Sequence, residues 1–343
     1  MLNIIDYIPN GLLTTPPTEL YRLLDGPTLI HLPGKREAPL FVSVMLHGNE
    51  TTGYHAIQEL LKKYHQTTLP RALSIFIGNV KAASYGKRLL DDQMDFNRVW
   101  PHKGFQHDSA ESKMMQQVVD EMRRRNVFVS IDVHNNTGLN PHYACVNRLD
   151  QAFFQLATIF SRTVIYFIRP QGVQSQSFAE LCPAVTVECG KTEQRQGTVH
   201  ALQFIESCLE IAELPDRPVP KQDMDLFHTV ATVKVPSEVQ FSFTDSTAPI
   251  CFRSDLEKLN FCELPAGTGI ADLQNPAMVP FTVTDEDGNE VYDRYFTADQ
   301  HRLVTRCDIM PSMLTIDSEI IRKDCLCYLM ERVDLEQHLG NKG

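Results

Sequence analysis

Two hydrophobic periods alternate along the first 210 residues. Residues 39–46 lean to the two-residue period of a strand, and "TTGYHAIQELLKKYHQ" then repeats its apolar positions at helical spacing. Thr51 or Thr52 is placed to cap that helix. "ALSIFIGNV" (72–80) predicts a second buried strand. The polar stretch "KAASYGKRLLDDQMDFNRVWPHKGFQHDS" follows, of a length that loops reach when they carry function. A helix over 110–125 feeds the strand "NVFVSIDVH" (126–134). Next come the strand "HYACVN", the helix "DQAFFQLATIFSR", the strands "TVIYFI" and "CPAVTVECG" (182–190), and the helix "TVHALQFIESCLEIAEL". Such alternation predicts an α/β domain, a mixed or largely parallel central sheet flanked by helices.

The pattern breaks at "AELPDRPVPKQD", where three prolines interrupt any period. A linker over 213–223 then separates an α/β domain, 1–212, from a C-terminal domain, 224–343. Short strand-like runs dominate beyond it ("TVATVKVP", "VQFSF", "FCELPAGTGIADL"), and "DEDGNEV" is a hairpin turn. The second domain is therefore expected to be small and β-rich. There is no internal repeat and no low-complexity segment.

Composition narrows the class. Apolar residues make up 43% and charged residues 22%, ordinary for a globular protein. The longest apolar runs fall far short of the ~18 residues that a membrane span needs, so no membrane partner is expected. "MLNIIDYIPNGLLTTPPTEL" lacks a basic start and carries Asp6 and Pro9, so no export signal is expected. Nine cysteines, odd in number and without C-x-x-C spacing, read as reduced thiols in a cytoplasm. A net charge of −11 argues against a nucleic-acid partner, though a few arginines can still make a local pocket for an anion. Homo-oligomerisation is left open.

In open α/β sheets ligands bind beyond the carboxyl ends of strands. His47 and Glu50 follow the strand 40–46; Arg88, Asp95, Asn97 and Arg98 lie in the loop after 72–79; His134, Asn135 and Asn136 follow 127–133; Glu188, Cys189, Gly190 and Lys191 end 184–187. Two histidines and one carboxylate are a ligand set for catalytic zinc, leaving a fourth position for water. His47, Glu50 and His134 are assigned as ligands, with Gly48 allowing a tight turn between the first two. Glu188 remains as general base, moving a proton from water to the leaving amine. Asp132, two residues before His134 on one strand face, is placed to orient an imidazole.

Each residue alone has a plain structural reading. H-x-x-E arises by chance, His134 can be a hydrogen-bonded core histidine, and Glu188 can pair with Lys191 or Arg195. Arg88 can be a solvated loop residue, and Arg98 can bridge to Asp91, Asp92 or Asp95. What favours the chemical reading is joint placement, each at the mouth of a different strand.

"LHGNETTG", "GNVKAASYGKRLLDDQMDFNRVWP", "SIDVHNNTG" and "VTVECG" resemble, in order and spacing, the motifs of the succinylglutamate desuccinylase/aspartoacylase family, across roughly residues 38–210. The resemblance implies a zinc carboxypeptidase-like fold with a smaller β-rich C-terminal domain. It implies one zinc per chain on His47, Glu50 and His134, with Glu188 as base. Arg88 would polarise the scissile carbonyl, and Asn97 and Arg98 would grip a substrate carboxylate. One feature departs from the aspartoacylase members of the family: the further arginine that they carry about ten residues before the catalytic Glu, used on a second substrate carboxylate, is replaced here around Ser177 and Phe178. Arg169 lies too far upstream to take its place by register. A tyrosine that some members bring from the C-terminal domain would be Tyr292 or Tyr295, and Cys189 reads as a buried thiol.

The expected function is hydrolysis of the amide of an N-acyl amino acid or a similar small carboxylate-bearing substrate. The alternative is a metallocarboxypeptidase acting on short peptides. A third reading, a non-catalytic binding or structural protein, predicts a disrupted ligand set, and the set is intact.

Overall fold

Strand β3 (Gly34–Val44) shows how the pattern becomes structure: its first residues alternate in exposure, and Pro39–Val44 is buried throughout. The change follows from its neighbours. β4 (Leu69–Ile77) and β5 (Val129–Asn136) flank it, both parallel to it, so its second half is central in a sheet. A strand covered on both faces has no solvent side to alternate with.

The computed structural model describes residues 1–334. The chain forms two units, one of residues 1–135 and 142–225, the other of 136–141 with the chain from 226 onward. The expected C-terminal domain runs on to 343, and residues 335–343 lie outside the described residues.

In the first unit the sheet continues on both sides of β3. β1 (Asn3–Ile5) and β2 (Thr28–Leu32) extend it beyond β4, and β8 (Ala184–Lys191), β6 (Tyr143–Val146) and β7 (Thr163–Tyr166) extend it beyond β5, in the order β1-β2-β4-β3-β5-β8-β6-β7. β2 runs antiparallel to β4 and β6 antiparallel to β8, so the sheet is mixed, as the pattern of elements predicts. The helices are α1 (Thr52–Lys63), α2 (Val80–Ala83), α3 (Ala110–Arg124), α4 (Gln151–Phe160), α5 (Gln174–Phe178) and α6 (Arg195–Glu210). Ser109 caps α3 and Asp150 caps α4, each side chain accepting a backbone N–H of the first turn. The end of α6 is held by Arg71, which is 3% exposed and donates to the carbonyls of Ala38, Ile211 and Ala212 at 2.8, 3.0 and 2.9 Å. A cation suits a helix C-terminus, and the guanidinium also lies 3.6 Å from the centre of the Phe128 ring.

The second unit is β-rich. β9 (Asp225–Lys234) pairs antiparallel with β13 (Thr282–Asp285) and with β17 (Cys327–Arg332), and β17 with β16 (Met310–Ser312). The other sheet runs β10 (Phe241–Ser242), β11 (Ile250–Phe252), β12 (Gly269–Leu273), β15 (Arg302–Thr305), β14 (Phe296–Asp299). Phe252, Phe281, Phe296, Leu303, Val283 and Leu329 bring both sheets into one apolar core. The expected turn forms at Asp285–Asn289, with the Asp285 side chain accepting the N–H groups of Asp287 and Asn289. It does not lead into a second hairpin strand: after the single bridge of Thr284 with Glu290 the chain enters the short helix α7 (Tyr292–Tyr295), and β13 finds its partner in β9. No described helix is long and apolar enough to cross a membrane.

Candidate active site

Where β3 ends, Met45 takes a φ of 56°, a left-handed conformation that costs a non-glycine residue energy. His47 and Glu50 follow before α1 begins. Gly48 is required for a reason other than a tight turn. A Cβ there would lie 2.3 Å from the Ala83 nitrogen and 2.6 Å from the Ala82 carbonyl carbon, so the backbone passes α2 with no room for a side chain. Neither Thr51 nor Thr52 caps α1 with its side chain. The cap comes from β5, where Asn135 Oδ1 accepts the Thr52 N–H at 3.3 Å.

His47, Glu50 and His134 come together, one donor atom from each lying within 4.8 Å of the others. All three are buried, at 2%, 6% and 4% exposure. Both imidazoles turn Nδ1 to the same carboxylate: His47 Nδ1 is 2.8 Å from Glu50 Oε1, and His134 Nδ1 is 2.7 Å from Glu50 Oε2. Each far nitrogen meets an aspartate, His47 Nε2 on Asp95 at 3.0 Å and His134 Nε2 on Asp132 at 2.8 Å. That arrangement fits a metal ion: converging Nδ1 atoms beside one carboxylate, with each ring oriented from behind by a carboxylate. Asp132 is itself fixed by Ser43, whose hydroxyl donates to Oδ1 at 2.6 Å from the neighbouring strand.

The cluster sets its own charges. Burial would raise the Glu50 carboxyl, but the imidazoles of His47 and His134 overcome it and hold Glu50 well below its ordinary range. Burial would lower His134, and Asp132 with Glu50 drives it well above instead. Glu188, in β8 opposite Tyr143, is pushed up to about 7, chiefly by burial. His134, Glu50, Asp132 and His47 all act on it electrostatically, which puts it within reach of the cluster. A carboxyl tuned near neutrality can both accept and return a proton.

The predicted arginines take different places. Arg88 reaches the cluster, with Nη1 3.1 Å from Glu50 Oε1 and Nη2 3.5 Å from Asp95 Oδ2. Arg98 donates from Nη1 to the Asn97 carbonyl at 2.8 Å, and its charge helps lower Asp95. Asn97 is buried: Oδ1 accepts the Gln174 N–H at 3.0 Å, and Nδ2 lies 3.2 Å from His134 Nε2. Ser177 and Phe178 belong to the core. Ser177 donates to the Pro101 carbonyl, and Phe178 stacks on Phe41 at 4.4 Å. Tyr292 and Tyr295 are core residues of the second unit, at 6% and 0% exposure. Cys189 is a buried thiol.

Three residues with roles in the cluster have no assigned part in the sequence reading. Asp95 holds His47, Ser43 holds Asp132, and Asn135 donates its N–H to Glu50 Oε2 at 3.2 Å while its Nδ2 donates to the Gly190 carbonyl at 2.9 Å. Ser43 had a signal, a lone hydroxyl within an apolar run.

Residues 38–241, more than half of the chain, match the model of the succinylglutamate desuccinylase/aspartoacylase catalytic domain. No curated protein matches the chain. Among solved structures it is similar to the succinylglutamate desuccinylase of Chromobacterium violaceum, with 16% identity, a TM-score of 0.58, and 88% of this chain and 86% of that one covered. Murine aminoacylase 3 shares 15% identity at a TM-score of 0.56, over 87% of this chain and 96% of that one. A succinylglutamate desuccinylase/aspartoacylase from Rhodobacter sphaeroides shares 12% at 0.54, over 88% of each. At such identities the structures establish a shared fold, the mixed α/β layer with a β-rich appendage, and the domain match establishes kinship. The chain belongs to the succinylglutamate desuccinylase/aspartoacylase family of hydrolases.

Proposed function

We propose that the protein is a zinc-dependent hydrolase of the amide bond of an N-acyl amino acid or a related small amide carrying a carboxylate. One zinc per chain would be held by His47, Glu50 and His134. The observation that carries this reading is the convergence of a two-histidine, one-carboxylate cluster, with Glu188 separate from it and pushed up to about 7 by burial. Bound zinc supplies Lewis acidity for the carbonyl and acidifies water.

The chain's own residues do the rest. Glu188 takes a proton from the attacking water and delivers it to the departing amine nitrogen. Arg88, already beside Glu50, presents a guanidinium to the oxygen that gains negative charge. Arg98 and Asn97 grip the substrate carboxylate. Asp95 and Asp132 keep the imidazoles in the orientation that bonds to them require.

A panel of N-acyl amino acids and short peptides, assayed for released amine with the zinc-loaded protein, tests the reading. Release from one or more N-acyl amino acids is expected. Cleavage confined to the C-terminal residue of peptides would replace it with a carboxypeptidase.

A further inference from the structure

Asn97 takes its orientation from a segment 77 positions further along the chain. The stretch from Gly172 into α5 lies along residues 97–101 and is bonded to them at Asn97, Trp100 and Pro101. The Gln174 N–H donates to Asn97 Oδ1 at 3.0 Å, and the Trp100 N–H donates to the Gly172 carbonyl at 2.9 Å. The Ser177 hydroxyl donates to the Pro101 carbonyl. Gly172 permits the close approach: its φ is 77°, and a Cβ there would lie 2.3 Å from the Arg98 carbonyl oxygen.

The same segment is anchored from beneath by the two strands that carry the candidate chemistry. Gln174 is fully buried, and its Nε2 donates to Ser130 Oγ on β5 at 2.6 Å. Thr186 on β8 donates from Oγ1 to Ser175 Oγ at 3.0 Å. Side chains two apart on a strand share a face. Ser130 therefore lies one step below Asp132 and two below His134, and Thr186 lies one step below Glu188. α5 starts in a fixed register against both strands.

The bond to Asn97 decides which way its amide faces. A primary amide has an accepting end and a donating end of nearly equal size. The first N–H groups of a helix have no partner within it, so that of Gln174 is available to hold something else. A backbone N–H can only donate, so the end of Asn97 that it meets is the oxygen. The NH2 end is thereby turned to the cluster, 3.2 Å from His134 Nε2.

We propose that Gln174 is a positioning residue for substrate recognition: its side chain, bonded to Ser130, holds its own N–H on Asn97 Oδ1, so that Asn97 presents donors and selects a carboxylate over a neutral carboxamide. A reversed Asn97 amide would offer an oxygen instead, repelling a carboxylate and accepting from a carboxamide NH2. This role rests on the proposed function, which gives Asn97 and Arg98 the substrate carboxylate; the polarity of the Asn97 amide does not.

Gln174 is the first residue of α5, a position that accepts proline, and Val173 before it is extended with ψ 153°, as a residue preceding proline prefers. Gln174→Pro therefore deletes the N–H at little cost to the backbone, and Gln174→Met deletes only the bond to Ser130. Each is made in the full-length, zinc-loaded protein carrying Glu188→Gln, so that probes bind without turnover. Binding of N-acetylalanine and of N-acetylalaninamide is measured by NMR titration. The parent should prefer the acid. Gln174→Pro should cut that preference roughly 10-fold or more, and Gln174→Met by a smaller factor, with one zinc per chain retained in both. Should Gln174→Pro fail to fold, Gln174→Met decides alone. A parent indifferent to the two probes, a preference left intact by either variant, or equal weakening of both probes, as a merely structural role would give, would overturn the proposal. Absence of hydrolysis by the protein with Glu188 in place, alongside the lost preference, would instead sink the hydrolase reading and leave the role of Gln174 standing.

Discussion

Asp132 Oδ2 lies 2.8 Å from His134 Nε2, two residues along the same strand, and the ring's other nitrogen faces Glu50 at 2.7 Å. The aspartate therefore sets which nitrogen of His134 is offered to the cluster. Because Asp132 is fully buried and its other oxygen is held by Ser43, the imidazole has little freedom to turn.

Asp132→Asn keeps the shape but removes the charge behind the ring. Zinc affinity, measured by competition with a chelating dye, should fall about 10–100-fold with the fold intact. Unchanged affinity would mean that Asp132 plays no part in presenting His134.

Acid sensitivity should come partly from His31, a buried residue remote in sequence from the cluster. Its Nδ1 lies 2.8 Å from Ser74 Oγ. Burial, followed by the charge of Arg125, lowers its pKa from 6.5 to about 4. The unfolded chain binds a proton near the ordinary value and the folded chain refuses it until about 4, so stability is full above 6.5 and drains away as pH falls between the two. The difference is worth on the order of 3 kcal/mol. Denaturant melts of His31→Asn from pH 7 to 4 should show a flatter acid slope than wild type. Parallel slopes would contradict the assignment.

Arg71→Met leaves two carbonyls at the end of α6 and that of Ala38 in β3 without this donor, and removes the cation from a helix C-terminus. A loss of about 2–3 kcal/mol in unfolding free energy is expected. Arg71→Lys, which keeps the charge but not the fork of donors, should lose less. Equal losses in both would show that charge contributes nothing there.

Much of this was legible in the chain because strand ends in an α/β sheet are chemically marked. His47, Glu50, His134 and Glu188 each stand at or just past an apolar run, which marks them as candidates, and the resemblance of the surrounding motifs is what gave them roles. What stayed hidden depended on neighbours distant in sequence. The cap of α1 comes from Asn135, 83 positions away from Thr52, so no local capping signal exists. Gly48 reads as a turn residue until α2 is seen pressing on it. β1 and β2 are too short, at three and five residues, to show a period. Tyr292 and Tyr295 look like reachable hydroxyls in a polar stretch, yet their rings pack into the second unit's core, where apolar area outweighs the cost of a buried hydroxyl. Asp95 had only its place in a polar loop to mark it, and its bond to His47 appears once the loop folds back.

The central claim is that His47, Glu50 and His134 hold the metal while Glu188, separate from them, moves the proton. Glu188→Gln isolates that division. Zinc content and turnover of the best N-acyl amino acid should be measured on the same purified sample. One zinc per chain with kcat reduced roughly 10²–10⁴-fold is the predicted result. Full turnover with zinc bound would contradict the account.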